Sequence, residues 1–226
     1  FADLKVHIAI IEVGIGGRLD ATNVITPIAS VTTSEGFDHL EQLGNTKELI
    51  LNEKLGIVKN KVPLFTAVKE EALINQMITK CKFFQSDFIK VDFKRLKIKN
   101  IGLDSSEFSY KDFEKLVIKL PGVHQIENSV LAIEVVNYLN KKSNLKVSCE
   151  LLYEGLISTT WPGRLECVSN DPLIYIDGGH NIDCIKRVCE FVDTLSFKNK
   201  RVVISISSNK DKKSMIELLD NSFNEL

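Results

Sequence analysis

Residues 6–13 (VHIAIIEV) form a near-continuous apolar run that ends on a glycine cluster, Gly14, Gly16 and Gly17. A strand reads this way when both of its faces are covered, as in a parallel sheet layered with helices. This stretch therefore predicts an α/β fold. The segments after it agree. Residues 29–33 are a short strand candidate. Residues 46–59 read as a helix with Leu49, Ile50, Leu51, Leu55 and Val58 apolar. Residues 62–67 are another strand and 70–81 another helix. Strand and helix in alternation are the pattern of a doubly wound, mostly parallel sheet.

From residue 84 to 120 the helical period disappears, and a Lys- and Phe-rich stretch with loose alternation predicts antiparallel strands or hairpins. Residues 124–140 return to helix, with Ile126, Val130, Leu131, Ile133 and Leu139 apolar, and Ser148 or Cys149 opens a shorter helix. Trp161-Pro162-Gly163 sets the only tryptophan beside a proline and a glycine, the clearest punctuation in the chain. A domain boundary is expected there: one domain over 1–160 and the start of a second α/β, Rossmann-like domain over 161–226. In the latter, residues 165–169, 173–176 and 201–205 read as strands. Residues 182–195 read as a helix with Ile182, Ile185, Val188, Val192 and Leu195 on one face, and a further helix follows.

A formal charge of -1 leaves no broad field for nucleic acid or a membrane surface, so an anionic substrate needs a local site. No apolar run is long enough to span a bilayer. Five cysteines, an odd number without a C-x-x-C pair, read as reduced thiols of a cytoplasmic protein rather than a disulfide framework. The chain opens on Phe1, not Met, and leads almost directly into the apolar run, which predicts a fragment of something longer.

Five constellations could carry chemistry. Glu12 closes the first apolar run, and three glycines, Arg18 and Asp20 follow it, which places charge at the carboxyl edge of a sheet, where ligands bind in open α/β folds. A dinucleotide fingerprint would need glycine where Leu19 stands. Asp38 and His39 follow the second strand, so Glu12 and His39 could share a divalent ion; ligand chemistry alone allows Mg²⁺, Mn²⁺ or Zn²⁺. Glu53 and Lys54 read as a solvated helix face. His124, Gln125 and Asn128 open a helix whose free N–H groups favour anions. Arg164 sits at the expected hinge, Asp177 ends an apolar strand beside His180, and Asn181 reads as a helix cap.

The order and spacing of six motifs add more. EVGIGGRLDATNVI (12–25), SEGFDHLEQLG (34–44), NEKLGIVK (52–59), LPGVHQIENSVLAI (120–133), WPGRLE (161–166) and DGGHN (177–181) together resemble the folylpolyglutamate synthase/dihydrofolate synthase family of the Mur ligase superfamily. The resemblance implies an ATP-dependent, cytoplasmic ligase of folate biosynthesis and one-carbon metabolism, a monomer acting on small molecules: folate or pteroate, glutamate and ATP. It implies Mg²⁺ held by Glu12 and His39, and Lys54 carried as a carbamate, which reverses the reading of Lys54 as surface. It further implies substrate contact at Leu19, Asp20 and Ala21, nucleotide contact at Asn128, Arg164 and Asp177, and catalytic roles for Lys54, Arg164 and His180. Leu55, Val123 and Gly179 depart from the family's usual alanine, arginine and alanine. No G-x-x-x-x-G-K-[ST] phosphate loop occurs in these residues, although the family carries one upstream, so the isolated chain is expected to be inactive with ATP. A peptidoglycan-precursor ligase or an inactive remnant is the alternative.

Overall fold

The computed structural model describes residues 3–33, 43–143, 146–208 and 210–225. They divide into two compact units, Phe1–Lys90 and Val91–Leu226.

In the first unit, strands β1 (Ser30–Thr32), β2 (Leu64–Thr66) and β3 (Phe88–Lys90) pair in parallel in that order, with Ser30 opposite Leu64 and Leu64 opposite Phe88. Parallel neighbours need a crossover between them. Helix α2 (Glu71–Phe83) supplies it between β2 and β3, and its Leu73, Ile74, Met77 and Cys81 fall on one buried stripe at helical spacing. Helix α1 (Lys47–Lys54) starts at Thr46, whose hydroxyl accepts the Leu49 N–H, and ends in a 3-10 turn, Leu55–Ile57. Leu51, Leu55 and Val58 meet Leu64, Leu73 and Met77 in one core. Burial lifts the Cys81 thiol to about 11, so it stays a neutral packing group.

The α/β class and the parallel sheet hold, but the expected first strand does not form. Residues 8–13 enter no ladder, and Ile8, Ile10 and Ile11 are 40%, 91% and 38% exposed. An apolar pattern states what a segment would bury; making it a strand takes a partner at its edge, and burying both faces takes a layer on either side. Among the described residues none pairs with 8–13.

In the second unit, β4 (Leu96–Ile101), β5 (Ser106–Tyr110) and β6 (Phe113–Ile118) form the expected antiparallel meander. Ser106, Phe108 and Tyr110 alternate inward and are fully buried. Helix α3 (Val123–Lys142) packs on β5 through an unusual contact. The Tyr110 hydroxyl donates to the buried Glu134 carboxylate at 2.5 Å and accepts the Asp92 N–H at 3.2 Å, while Lys111 pairs with the same carboxylate. A buried charge is tolerable only when paired and hydrogen-bonded, and Glu134 has both. Burial first, then the Glu134 carboxylate, push the Tyr110 phenol far up.

Helix α4 (Cys149–Ser158) begins on a Ser148 cap. The hairpin β7 (Glu166–Asn170) and β8 (Leu173–Ile176) is followed by α5 (Ile182–Asp193) and α6 (Lys212–Ser222), which share Ile185, Cys189, Met215 and Leu219. As expected, Asn181 caps α5 by accepting the Cys184 N–H at 2.9 Å. The strand expected over 201–205 is absent. Val202, Ile204 and Ile206 do turn inward against α5 and α6 while Val203 is 94% exposed, so the alternation is there. Among the described residues only Arg201 finds a bridge, to Glu225. Among the described residues no helix is long and apolar enough to cross a membrane.

Candidate functional site

In the first unit the glycine loop after Glu12 is held by its own side chains. Asp20 accepts the N–H groups of Gly14 (3.0 Å), Ile15 (3.2 Å) and Thr22 (2.9 Å) and the Thr22 hydroxyl (2.5 Å). It thereby closes the Gly-Ile-Gly-Gly turn and caps the 3-10 helix Ala21–Val24. The Thr22 hydroxyl, then the backbone donors, hold its carboxyl at about 2. Asn23 donates to the carbonyls of Arg18 and Gly56, both at 3.1 Å.

This loop lies against the end of α1. The Arg18 N–H donates to the Glu53 carbonyl at 2.9 Å, and its Nε to the Glu53 carboxylate at 3.1 Å. The backbones come so close that a Cβ on Gly17 would stand 2.8 Å from the Lys54 carbonyl oxygen, and one on Gly56 would stand 2.2 Å from Arg18 Cα. The loop is thus docked where Lys54 ends the helix. Leu19, 79% exposed, and Ala21 point out of it, available to a ligand. Glu12 is exposed, and among the described residues its carboxylate makes no hydrogen bond or ion pair. His39 and Asp38 lie outside the described residues, so the Glu12–His39 pairing has no geometry here. Among the described residues no group of three or more His, Cys, Asp or Glu could hold a metal. At the carboxyl end of β1 the Thr32 hydroxyl is buried without a partner among the described residues.

Sequence reasoning passed over Glu53 and Gly56 as ordinary helix positions. Asp20, expected at a substrate contact, is also engaged in the loop's internal bonding. The Asp20-x-Thr22 spacing is a local capping signature that could have signalled this role.

In the second unit, α3 opens at Gly122 (φ +95°), with the His124 ring folded back over it: a Cβ there would meet His124 Cε1 at 2.8 Å. Burial, then the Arg187 charge, lower the His124 pKa against the opposing pull of Asp177 and Glu127. Asn128 is exposed and donates to the Gln125 side chain at 3.1 Å.

Trp161-Pro162-Gly163-Arg164 forms a turn closed by the Arg164 N–H on the Trp161 carbonyl (3.3 Å). Proline follows its first residue, and Gly163 takes φ +70°, the type II pattern. The next residue, Leu165, is buried at φ +47°. Asp177 reaches this turn: its Oδ2 accepts the Leu165 N–H at 2.9 Å and its Oδ1 the Gly179 N–H at 2.7 Å, while the Gly178 N–H donates to the Gly163 carbonyl at 2.7 Å. His180 Nδ1 lies 3.1 Å from the Gly178 carbonyl. The structure therefore brings Arg164, Asp177 and His180 into one bonded cluster. Arg164 stays exposed and lines a cleft of about 300 Å³ with Trp161, Tyr175, Lys119 and Asp104. A second cavity, about 600 Å³ between α1 and α2, holds none of the expected site residues.

Comparison with known proteins adds three findings. The Mur ligase middle domain matches residues 1–136. The dihydrofolate synthase/folylpolyglutamate synthase of Bacillus subtilis is 36% identical over 223 residues, 96% of this chain and 52% of that protein. The folylpolyglutamate synthase of Lacticaseibacillus casei is 34% identical over 231 residues, 99% and 53%. The chain thus spans about half the length of these curated relatives. A solved FPGS–AMPPCP–folate complex superposes on all of the chain and 56% of its own, with a TM-score of 0.92 and 32% identity.

Proposed function

This chain belongs to the Mur ligase family, in its folylpolyglutamate synthase/dihydrofolate synthase branch, and from that premise we propose that the protein carrying it is an ATP-dependent ligase adding L-glutamate to dihydropteroate or folate. It acts as a cytoplasmic monomer, with residues 1–160 as the nucleotide-binding ligase domain and 161–226 beginning a second domain. ATP donates its γ-phosphoryl group to the acceptor's carboxylate, giving an acyl phosphate and ADP. The glutamate amine then attacks the acyl carbon, the C–N bond forms, and phosphate leaves with the C–O bond's electrons as the amine gives up its proton.

The observation that carries this reading is the superposition of the whole chain on a relative that holds an ATP analogue and folate. Exposed Leu19 and Ala21, on a loop that Asp20 stiffens, offer the acceptor a pre-formed contact. Arg164, whose guanidinium makes no hydrogen bond or ion pair among the described residues, supplies its charge to phosphate, Asn128 meets the nucleotide, and Asp177 and His180 stand beside them. Glu12 and His39 would hold Mg²⁺, with Lys54 as a carbamate adding a carboxylate. The exposed Glu12 oxygens, unengaged among the described residues, suit a hard cation, and the Thr32 hydroxyl at the carboxyl end of β1, unpartnered among the same residues, suits a ligand's water shell. When bound, such an ion neutralises phosphate charge.

The test is glutamate-dependent ADP release by the intact protein, with dihydropteroate and folate as separate acceptors. Release with either supports the reading and identifies the acceptor; none above background refutes it. Glu12→Gln is expected to lower kcat at least about 100-fold, as loss of a group that organises phosphate charge does.

A further inference from the structure

The strands β7 and β8 pair from Asn170–Leu173 out to Glu166–Ile176. One step further out, Leu165 and Asp177 should be the next pair of the ladder. They are not, because Leu165 takes φ +47°, a left-handed conformation that L side chains rarely adopt. A side chain replaces the missing main-chain bond: the Leu165 N–H is satisfied by Asp177 Oδ2 at 2.9 Å. The other oxygen is fixed by the Gly179 N–H at 2.7 Å, and the Gly178 N–H to the Gly163 carbonyl, 2.7 Å, closes the turn from its far side. A Cβ at position 179 would stand 2.8 Å from Oδ1, at the tip of the Asp177 side chain. Arg164 lies between the two residues held this way, Gly163 and Leu165, so its exit direction is set by bonds made on either side of it.

We infer that Asp177 is a positioning residue for Arg164: its carboxylate holds the left-handed Leu165 and so aims the guanidinium at the nucleotide. This deepens the functional reading above and rests on it for the identity of the ligand. A carboxylate that met the nucleotide independently would need no link to Arg164, whereas here both oxygens are engaged by the turn that carries it. Asparagine at 177 retains a single acceptor oxygen for two N–H donors, and its NH₂ group opposes one of them. Alanine at 177 removes both acceptors and leaves the Leu165 and Gly179 N–H groups without that side chain.

The experiment is a double-mutant cycle on the intact protein, read as the dissociation constant of a fluorescent ATP analogue with Mg²⁺ and, in parallel, as the KM for ATP and kcat of glutamate ligation. Asp177→Asn and Asp177→Ala are each expected to weaken nucleotide binding about tenfold in the wild-type background, with kcat changed less than KM. Each is expected to change it by less than about twofold in the Arg164→Ala background, where there is no guanidinium left to aim. Thermal melting separates these losses from unfolding: Asp177→Asn keeps the side chain's shape and serves if Asp177→Ala is unstable. A tenfold loss that persists in the Arg164→Ala background, or no loss in either single variant, overturns the inference. A wild-type protein that binds nucleotide without adding glutamate refutes the functional reading instead, and the binding cycle still decides the role of Asp177. A wild-type protein that binds no nucleotide overturns both.

Discussion

Replacing Gly56 by alanine sets two effects of opposite sign against each other. Gly56 lies in the 3-10 turn that ends α1, and its φ is not in the left-handed region. On local grounds alone, alanine should stabilise by about 0.4–1 kcal/mol, because it restricts the unfolded chain. The packing opposes this. The new Cβ would lie 2.2 Å from Arg18 Cα, 2.4 Å from its Cβ and 2.6 Å from its N. Carbon atoms rest at about 3.5–4.0 Å, so the glycine loop and the end of α1 must part by more than about 1 Å. That movement breaks the Arg18 N–H to Glu53 carbonyl bond and strains the Asn23 bond to the Gly56 carbonyl. Overpacking together with lost backbone bonding outweighs the local gain, for a net destabilisation of about 3 kcal/mol. Urea unfolding of the intact protein, followed by circular dichroism, measures it as a lower midpoint at unchanged slope. Because the same loop presents Leu19 and Ala21, binding of the acceptor should weaken as well. A neutral or stabilising Gly56→Ala would refute the claim that these two backbones are in contact.

Two further outcomes follow from the charged and polar groups. Asp20 has a folded-state pKa of about 2 against an ordinary value of 3.8, so its contribution is complete above the ordinary value and is lost as pH falls through the folded one. Carboxyl NMR titration should therefore find it still ionised at pH 3, a midpoint near 4 would contradict the bonding described, and Asp20→Asn should remove this acid sensitivity of the loop. Tyr110→Phe removes the donor to buried Glu134 and should cost about 1–3 kcal/mol by chemical denaturation. Since the folded protein keeps the Tyr110 phenol protonated, its contribution is fully present below the unfolded pKa near 10 and lost above it, so the variant should also unfold less steeply in alkali.

Helices were the most legible part of this chain, because each carries its evidence locally. Glu71–Phe83 and Val123–Lys142 follow from the spacing of their apolar residues, and Asn181 announces its own cap. Strands were legible less evenly, although β1 and β2 formed where expected and pair across a long stretch of sequence. The meander over 96–118 formed as expected, while residues 8–13 and 201–205 show the right alternation or apolarity and no ladder. In a strand the hydrogen bonds are made by another segment, and no local pattern says where that segment is. The candidate site divides the same way. Residue types marked Arg164, Asp177 and His180, but nothing in their spacing shows that Asp177 bonds Leu165 across 12 positions. The Glu53–Arg18 contact across 35 positions was equally hidden.

The anchoring of Glu134 also constrains how this sequence can vary. Asn128 and Glu134 share one helix, and the second is fixed in azimuth and height by Tyr110 and Lys111. Each residue of an α-helix turns the face by about 100° and advances it about 1.5 Å. Deleting or inserting one residue between them would leave the lower anchor in place and swing Asn128 about a quarter of the way round the axis. Substitutions in residues 129–133 are tolerable where packing allows, but the spacing of six between reader and anchor is a fixed gear ratio that length variation in α3 cannot respect.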